Sequence, residues 1–157
     1  MDESLHSVAD LLAQDHRRLD DLFGRFLGAA DRESAVRAIG DFDAALRAHT
    51  QLEEEHLFPF APGGKLVAPP DESGRDRLFR ELSLEHVQIR ELSGMIVRTL
   101  GEAGDPGAAF ALAGSLARRW DAHTLREENE AYPAAVDALG AEAELELRRK
   151  LEGPPAT

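Results

Sequence analysis

The chain has 157 residues, 43% of them hydrophobic, which is enough for one domain with a buried core. Thirty acidic residues against eighteen basic ones give a formal net charge of −12, which disfavours binding to the phosphate backbone of a nucleic acid. Because the chain has no cysteine, disulfides, thiolate metal sites and iron–sulfur clusters held by this chain are excluded.

The start of the chain is acidic and leads directly into a helical pattern. No basic segment followed by an apolar segment is present there, so we expect no signal peptide. The longest apolar runs are far too short to span a membrane. Together with the lack of cysteine, these features predict a cytoplasmic protein without a membrane partner.

The first predicted helix runs from about Ser4, its expected N-cap, to Ala30. His16 falls in the middle of its apolar stripe, whereas His6 lies off the stripe and is expected at the surface. The stripe recurs at steps of three and four residues and consists of Leu5, Val8, Leu12, Leu19, Leu22, Phe23 and Phe26.

The second predicted helix starts near Ser34 and ends before Pro59. Its apolar line continues directly into two polar residues, His49 and Glu53. The apolar members of that line are Val36, Ile39, Phe42 and Leu46. Residues 59–74 are rich in proline and glycine and are predicted to form a loop.

The third predicted helix, from about Gly74 to Leu100, carries His86 on its inner line. Asp105-Pro106 suits the start of the fourth helix, with aspartate as N-cap and proline at the first helical position. The inner face of that helix consists of Phe110, Ala113, Leu116, Trp120, His123 and Glu127. Pro133 is expected to bend or interrupt it.

These elements predict an all-α fold, because no stretch alternates with a period of two. We expect a four-helix up-down-up-down bundle over residues 1–140. A short fifth helix and a frayed tail are expected over residues 141–157. The apolar face of that fifth helix has two interpretations, pairing of subunits or packing on its own bundle.

Two segments of the chain are nearly the same: His49–Pro59 and His123–Pro133. They share a His, a Thr, a Glu-Glu pair, an aromatic residue and the final Pro, and each places a Glu four residues after its His, on the same helix face. The first and third helices repeat a second pattern, Asp15-His16 and Glu85-His86. The repeats indicate two helical hairpins related by an approximate two-fold axis.

Six polar side chains on inward faces would be costly to bury unpaired, by several kcal/mol each. Metal coordination removes that cost. Four imidazoles and two carboxylates suit two metal ions with one or both carboxylates bridging, and the mixed nitrogen and oxygen donors favour iron over manganese or zinc. The candidate ligands are His16, His49, Glu53, His86, His123 and Glu127.

This ligand pattern resembles the hemerythrin-like (HHE cation-binding) domain family over about residues 5–138. The resemblance implies a four-helix bundle that encloses an oxo- or hydroxo-bridged di-iron centre. By position it implies that the four histidines are terminal ligands and that Glu53 and Glu127 are bridges.

Two positions depart from the oxygen-carrying hemerythrins. These carriers have a second His four residues after the one on the third helix, where this chain has Arg90. They also have an Asp five residues after the last His; this chain has Glu128 at that position and Glu127 one residue before it. The site is therefore one imidazole poorer, which favours reaction with oxygen, peroxide or nitric oxide over reversible carriage.

Three functions follow from this pattern. The first is a di-iron protein that binds or senses oxygen, nitric oxide or iron. The alternative is a di-iron oxidoreductase that turns over peroxide, oxidises ferrous iron or donates iron for repair, with the metal carrying the chemistry. The third is a metal-free structural bundle.

Three further side chains have open roles. His56 is interpreted as a ligand, as a donor to a bridging carboxylate or as a residue at the end of the bundle. Glu53-x-x-His56 also matches ferritin-like di-iron proteins, but the second copy has Glu130 in place of the His, which disfavours that interpretation. Tyr132 and Trp120 are expected to pack in the core, with a redox role as the alternative.

Overall fold

The computed structural model describes residues 7–58, 73–102 and 104–153. This part of the chain is almost entirely helical and contains no strand, which confirms the all-α prediction. Ser4, His6, most of the predicted loop and residues 154–157 of the predicted tail lie outside the described residues. The helices are α1 (Val8–Leu27), α2 (Arg32–His56), α3 (Gly74–Gly101), α4 (Pro106–Arg126), a π-helical turn (Glu127–Ala131), α5 (Tyr132–Ala138) and α6 (Ala141–Glu152).

Side-chain caps determine where the main helices begin. Ser7 and Asp10 form a capping box at α1, in which each side chain accepts the backbone N–H of the other. Helix α2 begins at Arg32, earlier than predicted, because the Asp31 carboxylate accepts the N–H of Ser34 at 2.7 Å. Asp105 caps α4 ahead of a proline, as the sequence predicts.

Helices α1 to α4 pack consecutively, α1 on α2, α2 on α3 and α3 on α4. Their inner faces form two apolar clusters, and along each helix the buried histidines and glutamates lie between them. The first cluster includes Leu19, Phe23, Phe26, Phe42, Leu46, Ile89 and Trp120. The second includes Val8, Leu12, Leu57, Phe58, Phe79, Leu82, Ala131, Tyr132, Ala135 and Leu147.

The predicted interruption near Pro133 is the π-helical turn, after which the chain continues directly into α5. Proline has no N–H to donate to the preceding turn, so a regular α-helix cannot pass through it without losing a hydrogen bond. The N–H of Tyr132 donates to the carbonyl of Glu127, five residues back, which widens the helix at this point.

Helix α6 packs on α1 and not away from the bundle. Leu147 is fully buried in the second apolar cluster, whereas Leu145 on another face of the same helix is 48% exposed. Of the two interpretations of its apolar face, packing on its own bundle is the one observed. None of the described helices has the length and apolar character needed to cross a membrane.

Candidate metal centre

Each of the four bundle helices contributes one buried histidine to the layer between the apolar clusters. The rings form two edge-to-face pairs, with centroids 4.8 Å apart for His16 and His49 and 4.7 Å apart for His86 and His123. None of the four residues is more than 3% exposed. The pairs therefore follow the two hairpins that the sequence repeat predicts.

Glu53 of α2 lies between the two histidine pairs. Its Oε1 is 3.3 Å from Nε2 of His49, and its Oε2 is 3.3 Å from Nε2 of His86. The carboxylate is fully buried. Each of its oxygens thus faces a different pair.

Glu127, the first residue of the π-helical turn, has the same arrangement. Its Oε1 lies 2.8 Å from Nε2 of His123 and 3.1 Å from Nε2 of His86, while its Oε2 lies 3.1 Å from Nε2 of His16. It is also fully buried. Two carboxylates that each span both histidine pairs are arranged as bridging ligands of a two-ion site would be.

The inward donor atoms converge on two points. One atom each from His16, His49, Glu53 and Glu127 lie within 4.8 Å of one another, and so do atoms of His86, His123 and Glu127. Several of these buried atoms have no hydrogen-bond partner among the described residues: His49 Nε2, Glu53 Oε2 and His123 Nε2. Leaving a buried polar group unpaired costs about 1–3 kcal/mol, so the donor set fits cations that would pair them.

The Glu127 oxygen at 2.8 Å from His123 Nε2 does not change this conclusion. Although the distance is short, the angular requirement for a hydrogen bond is not met, and Nε2 remains unpaired. His123 Nε2 and Glu127 Oε1 lie close together without pointing at each other, as two atoms that faced one cation would.

The outward nitrogen of every imidazole meets a second carboxylate. This contact keeps Nδ1 as the hydrogen-bond donor and so aims Nε2 at the centre. The four pairs are His16 with Glu128 at 2.7 Å, His49 with Asp15 at 2.8 Å, His86 with Glu54 at 2.9 Å and His123 with Glu85 at 2.7 Å.

These four outer carboxylates were not among the predicted site residues, although the sequence carries a signal for them. Each is the chain neighbour of an inward histidine or glutamate, and both repeated patterns, the Glu-Glu pairs and the acidic residue before a histidine, contain them. Each contacts the histidine of another helix, however: Asp15, next to His16, contacts His49. Spacing along one helix does not reveal that partner.

Arg90 lies behind one outer carboxylate. Its guanidinium donates to Glu54 at 3.0 Å and to the hydroxyl of Thr50 at 2.9 Å. The side chain that stands where oxygen carriers have a further histidine therefore binds the carboxylate that orients His86.

Tyr132 has a role that the sequence only partly predicts. Its ring is buried in the second apolar cluster, as expected. Its hydroxyl, however, reaches the centre, where it donates to Glu53 Oε1 at 2.5 Å and lies 2.8 Å from Nε2 of His16. Trp120 packs edge-on against His16 with centroids 5.4 Å apart and donates its Nε1–H to Asp20, so it is a core residue.

His56 belongs to neither group of convergent donors. It is the last residue of α2, and its Nε2 lies 3.8 Å from the carboxylate of its neighbour Glu55. Of the three interpretations, a histidine at the end of the bundle is the one that agrees with the structure. The ferritin-like pattern Glu53-x-x-His56 is therefore disfavoured, because its His does not reach the centre.

Buried charges of opposite sign hold each other in this layer. Burial alone would lower the pKa of His49, but Glu53, Asp15 and Glu127 together raise it to about 10. Burial and the charge of Glu127 would raise the pKa of Glu53, but His49 and His86 lower it to about 2. A cation that enters must therefore displace protons from the imidazoles.

Residues 7–135 match the family model described as the hemerythrin HHE cation binding domain. No curated protein and no solved structure matches the chain. The family match covers most of the sequence and includes all six inward residues. The matched residues form a helical bundle, and its buried His and Glu side chains could hold a metal ion. The chain thus belongs to the hemerythrin HHE cation-binding domain family.

Proposed function

We propose that this protein holds two iron ions in its His/Glu layer and binds a small ligand there, either oxygen, nitric oxide or peroxide. One observation carries the proposal: each buried carboxylate has one oxygen near each histidine pair. Two separate mononuclear sites would not need a carboxylate that spans both pairs.

The donor set supports iron as the metal. Imidazoles and carboxylates without thiolates suit iron, manganese and zinc, and the mixture of nitrogen and oxygen donors favours iron. Iron, when bound, would supply the redox chemistry that oxygen, nitric oxide and peroxide undergo. The assignment of the six inward residues as its ligands stays a prediction.

The protein itself would provide a dry site with oriented donors. Apolar clusters lie on both sides of the polar layer and keep bulk water away from it. The outer carboxylates hold the imidazoles with Nε2 inward. The Tyr132 hydroxyl places a further oxygen at the centre itself.

That hydroxyl also favours a second candidate function, a di-iron oxidoreductase acting on peroxide or ferrous iron. In that function the phenol, 2.8 Å from an inward imidazole nitrogen, stays protonated and gives its proton to a ligand bound beside it, so it is not itself bound to iron. Binding and turnover differ in outcome: a stable, reversible adduct supports binding, whereas repeated consumption of peroxide or ferrous iron supports the enzyme.

The proposal is tested by metal analysis of protein purified from iron-replete cells, followed by visible spectra before and after oxygen, peroxide and nitric oxide. We expect about two irons per chain, as in other di-iron bundles. His123→Ala and Glu127→Ala should lower the iron content, whereas His56→Ala should not. A purified protein that contains no metal and takes up none anaerobically would contradict the proposal.

A further inference from the structure

The two halves of the centre differ in one aromatic side chain. Tyr132 and Phe58 occupy the same place in the repeated segments, just before the final proline. Tyr132 stacks on His16 with centroids 5.6 Å apart and planes at 25°. Phe58 stacks on His86 with centroids 5.8 Å apart and planes at 18°. The approximate two-fold axis thus relates the two rings.

The same backbone device positions both rings. The N–H of Tyr132 donates to the carbonyl of Glu127, and the N–H of Phe58 donates to the carbonyl of Glu53 at 2.7 Å. Each bond spans five residues and lies in the turn after an inward glutamate. The two turns bring each aromatic ring over the histidine of another helix, and the one at Glu127 is π-helical, a feature that recurs at functional sites.

Only one of the two rings carries a donor atom. Tyr132 Oη lies 2.8 Å from His16 Nε2 and 2.5 Å from Glu53 Oε1. Phe58 presents carbon to the equivalent place. On its side, Glu53 Oε2 and His123 Nε2 have no hydrogen-bond partner among the described residues, and on the side of Tyr132 His49 Nε2 has none. We call the side of His16, His49 and Tyr132 the tyrosine half, and the side of His86, His123 and Phe58 the phenylalanine half.

We propose that Tyr132 Oη is a fifth inward donor of the tyrosine half, and that the phenylalanine half keeps an open position where a small ligand binds against Phe58. This inference rests on the proposed function. The tyrosine half offers two imidazoles, an oxygen of each inward glutamate and the phenol oxygen, whereas the phenylalanine half offers only the imidazoles and the glutamate oxygens.

The surroundings of the phenylalanine half suit a small uncharged ligand. Phe58 is 2% exposed, and the ring of Phe79 stacks behind it with centroids 5.1 Å apart. A diatomic molecule such as nitric oxide can lie against such a wall without losing hydrogen bonds to water. An ion with a full hydration shell would pay a desolvation penalty there.

The first test is spectroscopic and uses the full chain loaded with iron and oxidised. A phenol oxygen that binds ferric iron releases its proton to solvent, and the resulting phenolate gives a charge-transfer band to iron in the visible range. We expect this band in the wild-type protein and its loss in Tyr132→Phe, with the iron content unchanged. Trp120→Phe is the matched control, because Trp120 packs on the same His16 but brings no donor atom to the centre. It should keep the band.

The second test counts nitric oxide bound to the reduced protein by anaerobic titration. We expect about one molecule per chain in the wild type and about two in Tyr132→Phe, in which both halves have an open position. Phe58→Tyr should bind nitric oxide at least tenfold more weakly and add a second phenolate contribution to the ferric spectrum. Circular dichroism checks the fold of each variant; Tyr132→Phe alone is sufficient if Phe58→Tyr does not fold.

The outcomes separate the inference from the proposed function. Wild-type protein that binds no metal contradicts the proposed function and this inference together. About two irons per chain without a phenolate band, or with a band that Tyr132→Phe retains, contradicts the inference alone. Unchanged nitric oxide binding in both Tyr132→Phe and a folded Phe58→Tyr also overturns it.

Discussion

Each buried imidazole of the centre is held between an inward cluster and an outward carboxylate, and the carboxylates differ in what lies behind them. Arg18 pairs with Asp15 at 2.8 Å, Arg90 with Glu54 at 3.0 Å and Arg126 with Glu85 at 2.9 Å. Glu128 has no such cation among the described contacts. Because an outer carboxylate raises the basicity of the imidazole that it holds, we expect these residues to adjust how strongly each imidazole would bind a metal.

The substitution Glu54→Gln tests this role. The amide keeps nearly the same shape but loses the charge that stabilises His86 and that Arg90 binds. We expect metal affinity, measured by competition with a chelator, to fall by about tenfold while the helical content is unchanged. Glu55→Gln is the control, because Glu55 is an exposed neighbour that does not contact the centre. Equal losses in both variants would contradict an orienting role.

The stability of the metal-free protein should depend on pH, because folding shifts the pKa values of Glu53 and His49. The pKa of Glu53 is lowered from 4.5 to about 2. Its contribution to the free energy of unfolding is therefore present above pH 4.5 and is lost as the pH falls through about 2. The pKa of His49 is raised from 6.5 to about 10, so its contribution is present below pH 6.5 and is lost as the pH rises through 10.

We therefore expect the urea midpoint, measured with chelator present, to be highest between pH 4.5 and 6.5 and to fall on both sides. Replacing both residues, His49→Gln with Glu53→Gln, should flatten this profile. A wild-type profile that keeps rising from pH 6.5 to pH 10 would contradict the assignment of charges.

At the scale of the elements, one arginine connects the two inter-helix junctions at the same end of the bundle. Arg32, the first residue of α2, donates to the carbonyls of Leu100 at 2.6 Å, Glu102 at 3.0 Å and Gly104 at 3.4 Å. These carbonyls lie at the C-terminal end of α3 and just beyond it, where they have no partners within the helix and where a positive charge is favourable.

We expect Arg32→Gln to destabilise the protein by about 1–2 kcal/mol, because two or three carbonyls lose a charged donor. Arg37→Gln is the matched control; Arg37 forms one exposed pair with Glu33 at 2.6 Å, and its loss should cost about 0.5 kcal/mol or less. The measurement is the free energy of unfolding in urea. Equal effects in the two variants would argue against a capping role for Arg32.

At the scale of the whole molecule, α6 completes the apolar cluster that covers one side of the polar layer. Leu147 lies in that cluster with the aromatic residues that stack on the inward histidines, Phe58 and Tyr132. The C-terminal helix is thus part of the enclosure of the centre, although it contributes no inward donor.

The substitution Leu147→Ala should leave a cavity beneath α6 and lower the free energy of unfolding by about 2–4 kcal/mol. Leu145→Ala removes the same atoms from a half-exposed position of the same helix and should cost about 0.5 kcal/mol or less. Denaturation of both variants with and without iron checks this. Similar denaturation midpoints for Leu147→Ala and Leu145→Ala would mean that α6 does not complete the apolar cluster.

Much of the fold and of the centre could be predicted because the information is local. Apolar residues at three- and four-residue steps define the inner face of each helix, and a polar residue on such a line must enter the bundle. His49 and Glu53, one turn apart on α2, follow from that rule alone, and the repeat extends it to His123 and Glu127. The structure brings all four together with His16 and His86, while metal binding itself stays a prediction.

The sequence by itself therefore determined the helices, the inward face of each and the family, since periodicity and spacing are properties of a single segment. Only the tertiary structure decided which helix each outer carboxylate serves, that His56 stays out of the centre and that α6 packs on α1. Those contacts depend on how neighbouring helices are rotated and packed. The Tyr132 hydroxyl depends on one more feature, a five-residue turn that regular helical spacing does not predict. That turn brings the Tyr132 phenol, the only phenol among the described residues, into the centre. The two halves are unequal because the equivalent place on the other side holds Phe58.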